Sequence, residues 1–311
     1  MLSTLLIVLP IFALILAGWA ARRVGALGDT ATREINRLVV YVTLPALLFR
    51  IMAEAEPAEL WQPGFVFAFT GGCAVIFGFT LFLAKRRGQG LADAALDGLN
   101  GSYANTGFLG FPLVLAVMGE AGLSLTLIAS LVTVTVLFAA AILLVELGLQ
   151  PDGRALEVAA RTLRSFAKNP LVVSPLLGGL YLATGLELYG PLDAMLTLLG
   201  DAAAPCALVC LGCFLADPRP DSAPIDLRWL ATLVGLKLVA HPLVTWLLAL
   251  PLGLSADATH AAVLLAALPT GTGPFMLAEL YHREAGVTGR TILVTTILSV
   301  FTVSLYLAVV G

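Results

Sequence analysis

Two stretches of this 311-residue chain combine backbone breakers with polar side chains inside otherwise apolar sequence. The first runs Ser102-Tyr103-Ala104-Asn105-Thr106-Gly107-Phe108-Leu109-Gly110-Phe111-Pro112, the second Pro269-Thr270-Gly271-Thr272-Gly273-Pro274. Proline removes a backbone donor and clashes with the preceding turn, and glycine tolerates non-helical angles, so each stretch should interrupt a helix. Each interruption creates a new helix N-terminus with Pro112 or Pro274 in its first turn, where the missing N–H costs nothing. Free N–H groups at a positive dipole end suit a carboxylate. The carbonyls that end the preceding half-helices suit a cation. The pair therefore predicts a site for a small organic anion with a coupling cation or proton. Asn105 is its central residue, because one amide can both donate and accept. The plainer reading is two kinked structural helices, since glycine and proline are ordinary in membrane spans.

Three ionisable residues also fall inside apolar runs, where charges are costly and usually functional. Asp201 lies four residues before Pro205, and Lys237 and His241 lie one helical turn apart on one face. Asp201 could hold a coupling ion or proton, Lys237 could balance a carboxylate, and His241 could relay a proton. The alternative is a structural Asp201–Lys237 ion pair with His241 hydrogen-bonded nearby. Glu146 and Glu279, near span ends, read as solvated or loop-pairing groups. Tyr41 and Thr43, just before Pro45, are expected to line the cavity with that proline. Cys206, Cys210 and Cys213 follow C-x3-C-x2-C along one helix and, like Cys73, read as small buried hydrophobes. No metal site and no cofactor is expected beyond Na+ or H+ as coupling ion.

The elements that must position these residues follow from composition. The chain is 59% hydrophobic and 12% charged, against about 25% charged in soluble domains. So little charge cannot solvate a globule of this length, which excludes a soluble enzyme; a net charge of −3 offers no basic surface for nucleic acid. The chain reads as an all-α membrane protein. A membrane helix needs about 20 apolar residues. Ten spans are predicted at roughly 3–21, 35–52, 63–84, 98–119, 122–149, 170–188, 192–216, 228–252, 258–281 and 289–310. The first carries its positive charge after the apolar run, the reverse of a signal peptide, and reads as a mature helix.

Charge placement supports this division. Of the 17 basic residues, all but Arg50 and Lys237 fall in odd-numbered loops. These include Arg22, Arg23, Lys85, Arg86, Arg87, Arg154, Arg161, Arg164, Lys168, Arg219 and Arg283. Basic residues favour the cytoplasmic side, which places odd loops there and both termini outside the cytoplasm. The longest connection follows span five, so the chain divides into residues 1–149, a cytoplasmic connector 150–169, and residues 170–311. An odd number of spans per half forces the second half to enter the membrane inverted. Leu44-Pro45-Ala46 in span two matches Ala204-Pro205-Cys206 in span seven, and the span-four break matches that in span nine. Paired breaks at corresponding places in two halves point to a transporter binding site.

The run Asn105-Thr106-Gly107-Phe108-Leu109-Gly110-Phe111-Pro112 resembles the span-four motif of the auxin efflux carrier family. Lys237-Leu238-Val239-Ala240-His241-Pro242, Ala202-Ala203-Ala204-Pro205, and Leu268-Pro269 with Met276-Leu277-Ala278-Glu279-Leu280-Tyr281 resemble its spans eight, seven and nine. The resemblance implies the fold of the bile acid–sodium symporters, with spans 1, 2, 6 and 7 beside a core of spans 3–5 and 8–10. It also implies a substrate site where broken spans four and nine cross, taking carboxylates such as malate or malonate, or indole acids as in plants. It carries over to Asn105, Gly107, Pro112 and Pro269. Where many relatives place a polar amide in the span-nine break, this chain has Gly271-Thr272-Gly273.

A secondary carrier for organic anions in the cell membrane is thus the expected function. An ion or solute channel, or a membrane sensor on the same broken-helix fold, is the alternative. The absence of a G-x-x-x-x-G-K-[ST] run argues against ATP-driven pumping, and the absence of H-E-x-x-H against a zinc-dependent intramembrane enzyme, so no catalytic residue is assigned. Lipid and a small anion are the expected partners, and oligomeric state stays open, a homodimer being one arrangement.

Overall fold

Apolar sequence in lipid must satisfy its backbone polar groups within each segment, which favours helices. The computed structural model describes residues 2–54, 61–150, 160, 163–164, 167–216, 226–283 and 285–310. Its named elements are all helical, and the one extended contact is an isolated antiparallel bridge between Ala104 and Thr270. Most of the connector 150–169, with Arg154 and Arg161, lies outside the described residues, as does Arg219.

In chain order the helices are α1 (Leu2–Arg23), α2 (Ala31–Ala53), α3 (Pro63–Arg86), α4 (Leu91–Ser102), α5 (Phe111–Met118), α6 (Leu123–Leu149), α7 (Pro170–Leu182), α8 (Gly190–Ala216), α9 (Leu227–Leu252), α10 (Ala256–Ala266), α11 (Gly273–Leu280) and α12 (Gly286–Val310). Six of them, α2, α3, α6, α8, α9 and α12, are long and apolar enough to cross a membrane. The pairs α4/α5 and α10/α11 are the interrupted elements expected around residues 103–110 and 267–272.

Two expected boundaries move. The predicted span at 98–119 begins earlier, at Leu91, because Asp93 and Asp97 are accommodated within the helix: Arg283 pairs with Asp93, and Trp229 Nε1 donates to Asp97 at 2.8 Å. The span at 170–188 ends at Leu182, where Ala183 to Gly185 turn.

Proline explains three of the four π-helical turns. Residues 39–43, 106–110 and 236–240 are π-helical, and they contain the residue four before Pro45, Pro112 and Pro242 respectively. A proline clashes with the carbonyl four residues earlier, and widening the turn relieves that clash. The fourth, residues 132–137, has no proline after it.

Packing sorts the helices into two groups. In one group α8 packs on α1 and α2, and α2 on α7; α3, α4, α6, α9, α10 and α12 form the other group. Close approach within the first group depends on glycine: a Cβ at Gly18 of α1 would collide with the Val209 carbonyl of α8, and one at Gly212 of α8 with the Ile15 carbonyl of α1. Cys213 and Cys210 of α8 donate from Sγ to the carbonyls of Gly18 and Thr32, at 3.5 and 3.2 Å. On the outside, leucines such as Leu176, Leu177 and Leu180 of α7 are exposed, as lipid-facing side chains should be.

Candidate functional site

The two breaks meet each other. The backbone N–H of Asn105 donates to the Pro269 carbonyl at 2.9 Å, and that of Gly271 donates to the Tyr103 carbonyl at 3.1 Å. This short antiparallel pairing satisfies part of the backbone that both helices leave unbonded, the requirement for non-helical chain away from water. Thr270 pins the crossing further: its Oγ1 donates to the Asn100 carbonyl of α4 at 2.8 Å, and its N–H donates to Thr295 Oγ1 of α12 at 3.1 Å.

Of the predicted site residues here, Asn105, Gly107 and Thr272 keep some exposure, and Pro274 is buried. The half-buried side chain of Asn105 makes no hydrogen bond to a described residue, and Gly107 is exposed with nothing near the place a Cβ would occupy. Thr272 is half-buried at the N-cap of α11, and Pro274 lies in that helix's first turn. Thr106 is buried with its hydroxyl lacking a protein partner. Gly110 is buried against Leu265 and Thr126. Helical backbone resumes ahead of α5, at Thr106 with Asn105 as N-cap, and the N–H groups of Thr106 and Leu109 donate to the carbonyls of Ala104 and Asn105 at 2.8 and 3.0 Å. Pro112 lies in the first turn of α5, as expected, and the π-helical turn before it absorbs its clash.

The short span-nine break has a partner on the other side. The ring of Tyr103 lies against both glycines: a Cβ at Gly271 would come within 2.9 Å of it, and one at Gly273 within 2.6 Å. The aromatic ring occupies the space beneath Gly271-Thr272-Gly273, which explains why small residues stand there.

Behind the crossing sits a buried cluster. Lys237 Nζ donates to the Ala266 carbonyl at the end of α10 at 2.7 Å and contacts His241 Nδ1 at 3.1 Å. His241 Nε2 contacts Cys73 Sγ at 3.5 Å, and Cys73 lies 4.0 Å from the Ser102 carbonyl at the end of α4. The expected Lys237–His241 turn is present, and it joins the C-terminal ends of both leading half-helices. Asp201 does not take part. It is exposed on α8, and no ion pair joins it to Lys237; α8 packs on α1 and α2.

The α2 residues are divided. Thr43 is buried with its hydroxyl at 3.4 Å from its own helix's Val39 carbonyl, and Pro45 is half-buried within α2. Tyr41 is exposed and lines a separate cavity of about 270 Å³ with Glu146, Lys168, Asn169 and Tyr281. There Tyr281 donates to Glu146 Oε1 at 2.6 Å, so Glu146 is a buried, bonded acid rather than a solvated one. The sequence reading missed Asp97, Asn100 and Trp229. Their signal was an acid and an amide three residues apart in an Ala/Leu/Gly run, at the start of the predicted span.

An all-helical chain with membrane-length apolar rods and a polar crossing between two broken helices is a membrane transport protein. It belongs to the auxin efflux carrier family: residues 4–307 match the family described as membrane transport protein. A Rhizobium meliloti protein named "Putative malonate transporter" is 33% identical over 96% of this chain and 93% of its own length. An uncharacterized transporter of Methanocaldococcus jannaschii is 23% identical over 96% of both chains. Auxin efflux carrier component 6 of Arabidopsis thaliana is 26% identical over 48% of this chain and 26% of its own length.

Proposed function

We propose that the chain is a secondary carrier that moves small organic anions, dicarboxylates or indole acids, across the cell membrane by alternating access. The observation that carries this is the Asn105–Pro269 and Gly271–Tyr103 pairing. It sets two helix N-termini side by side and leaves the Asn105 amide free next to open space at Gly107. A carboxylate fits such donors. The name of the Rhizobium meliloti relative favours malonate as the first substrate to test.

In this reading the chain makes ten crossings as two inverted five-helix repeats, 1–149 and 170–311, with both termini outside the cytoplasm. Matched breaks and the placement of basic residues support it. Substrate would bind to Asn105, Thr106, Gly107 and Thr272, between the two packed groups of helices, whose relative movement would expose the site to either side. Lys237 supplies positive charge at the ends of α4 and α10, and H+ or Na+ is the coupling ion.

Uptake of labelled malonate and indole acids into proteoliposomes tests this. Accumulation above equilibrium under an imposed ion gradient is expected. Flux that never exceeds equilibrium would favour a channel instead.

A further inference from the structure

Asp97 of α4 is one of two buried acids among the described residues, the other being Glu146. Trp229 Nε1 of α9 donates to its Oδ2 at 2.8 Å, and Asn100 Nδ2 donates to its Oδ1 at 3.1 Å while lying 3.0 Å from Thr288 Oγ1 of α12. The Gln89 side chain lies beside the same carboxylate. No described cation pairs with it. Arg283, from the turn before α12, is held by Asp93 on Asp97's own helix; Arg87 is bonded to Asp226 and lies over the Trp229 ring. Among the other neighbours of α4, α3 brings Phe77 and Thr80 against Gly98 and Gly101, α6 carries Glu146 bonded to Tyr281, and α11 carries Glu279.

Both amides also hold an unused acceptor. Asn100 Oδ1 and Gln89 Oε1 are buried and have no hydrogen-bond partner. Orphaned buried acceptors are rare, and each points to something that completes it. Turning an amide over exchanges its oxygen and nitrogen. Asn100 Oδ1 would then face Asp97 Oδ1, an arrangement that is stable only with a hydrogen between the two oxygens. A protonated carboxyl supplies that hydrogen. Asn100 is also the residue whose carbonyl accepts from Thr270 Oγ1, 2.8 Å away in the span-nine break. One side chain therefore senses Asp97 while its backbone holds the crossing.

We propose that Asp97 is the site at which this carrier takes up a coupling proton, with the Asn100 and Gln89 amides reorienting to accept from the protonated form. The proton adds to Asp97 Oδ1 from water and returns to water when the cycle reverses; no other bond forms or breaks. Asn100 passes the change to Thr270 and so to the anion site. This rests on the carrier reading above.

The test compares wild type with Asp97→Asn in proteoliposomes. Wild type is expected to accumulate malonate under an imposed pH gradient; D97N should lose that accumulation while retaining malonate–malonate exchange across equal pH. Undiminished pH-driven accumulation in D97N overturns the proposal, as does accumulation in wild type that follows a sodium gradient at fixed pH and ignores the proton gradient. A second measurement needs no transport. With Trp19, Trp61 and Trp246 replaced by Phe, the emission of Trp229 should titrate on acidification and become flat when D97N is added. A flat trace without D97N, or an unchanged titration with it, overturns the proposal. If wild type exchanges no malonate or indole acid, the carrier reading fails, and the Trp229 titration still decides whether Asp97 binds a proton.

Discussion

Lys237 Nζ donates to the Ala266 carbonyl, 2.7 Å away at the last residue of α10. The carbonyls that close a helix carry its partial negative charge and have no intrahelical partner. Lys237 is fully buried, so water cannot replace it. Lys237→Met keeps most of the side-chain volume but removes the donor, and leaving a buried carbonyl unsatisfied costs about 1–3 kcal/mol. The variant is expected to melt below wild type in detergent and to lose malonate uptake. Lys237→Arg should not restore either, because a planar fork cannot fit a fully enclosed point-donor site. A wild-type melting temperature for Lys237→Met would show that this bond does not support the broken helix.

Asn105→Ala separates binding from folding. The backbone bonds of Asn105 to Pro269, Leu109 and Gly110 survive the substitution, and the side chain it removes holds nothing. Stability should change by less than about 0.5 kcal/mol, as for a side chain without structural contacts. A hydrogen bond to a charged ligand is worth about 1.5–3 kcal/mol, which converts to roughly a ten- to hundredfold weaker apparent affinity for malonate. Full transport by a well-folded Asn105→Ala would remove Asn105 from the site.

Gly273→Ala should be destabilising through one neighbour. The added Cβ would lie 2.6 Å from Tyr103 Cζ, and the ring is backed by Phe138 at a 5.6 Å centroid distance, so it cannot swing aside. Overpacking of this kind costs about 1–3 kcal/mol. Adding Tyr103→Ala removes the obstacle, so the double variant should melt higher than the sum of the two single effects predicts. Strict additivity would place the strain elsewhere.

The breaks were readable in the sequence because their cause is local: glycine, proline and small polar residues in an apolar run. The Lys237–His241 turn was readable for the same reason, being a helical spacing. Two kinds of information were not local. The first is which way a side chain faces, so that Asp201 turned outward and Tyr41 joined Glu146 and Tyr281 rather than the crossing. The second is a partner remote in sequence. The predicted span began at residue 98, short of Asp93 and Asp97, whose partners Arg283 and Trp229 lie far along the chain, and the crossing expected of spans four and nine takes its form from the pairing of residues 103–105 with 269–271.

Asp226 gives a prediction about pH outside the membrane. It caps α9 by accepting from the N–H groups of Arg228 and Trp229, at 2.9 and 3.2 Å, and it pairs with Arg87 at 2.7 Å. The Arg87 hydrogen bond, followed by the Trp229 N–H, holds its carboxyl below the usual range. A carboxylate with a depressed pKa binds its proton more weakly in the folded state. Its contribution is therefore complete above the ordinary carboxylate pKa of about 4 and is lost as pH falls through the lower folded value. Asp226→Asn should melt below wild type by an amount that stays constant through neutral pH and shrinks in acid below about pH 4. Salt should narrow the neutral gap as well, because the pair is solvent-exposed and screened. A gap that instead widened on acidification would mean that Asp226 supports the start of α9 in its protonated form.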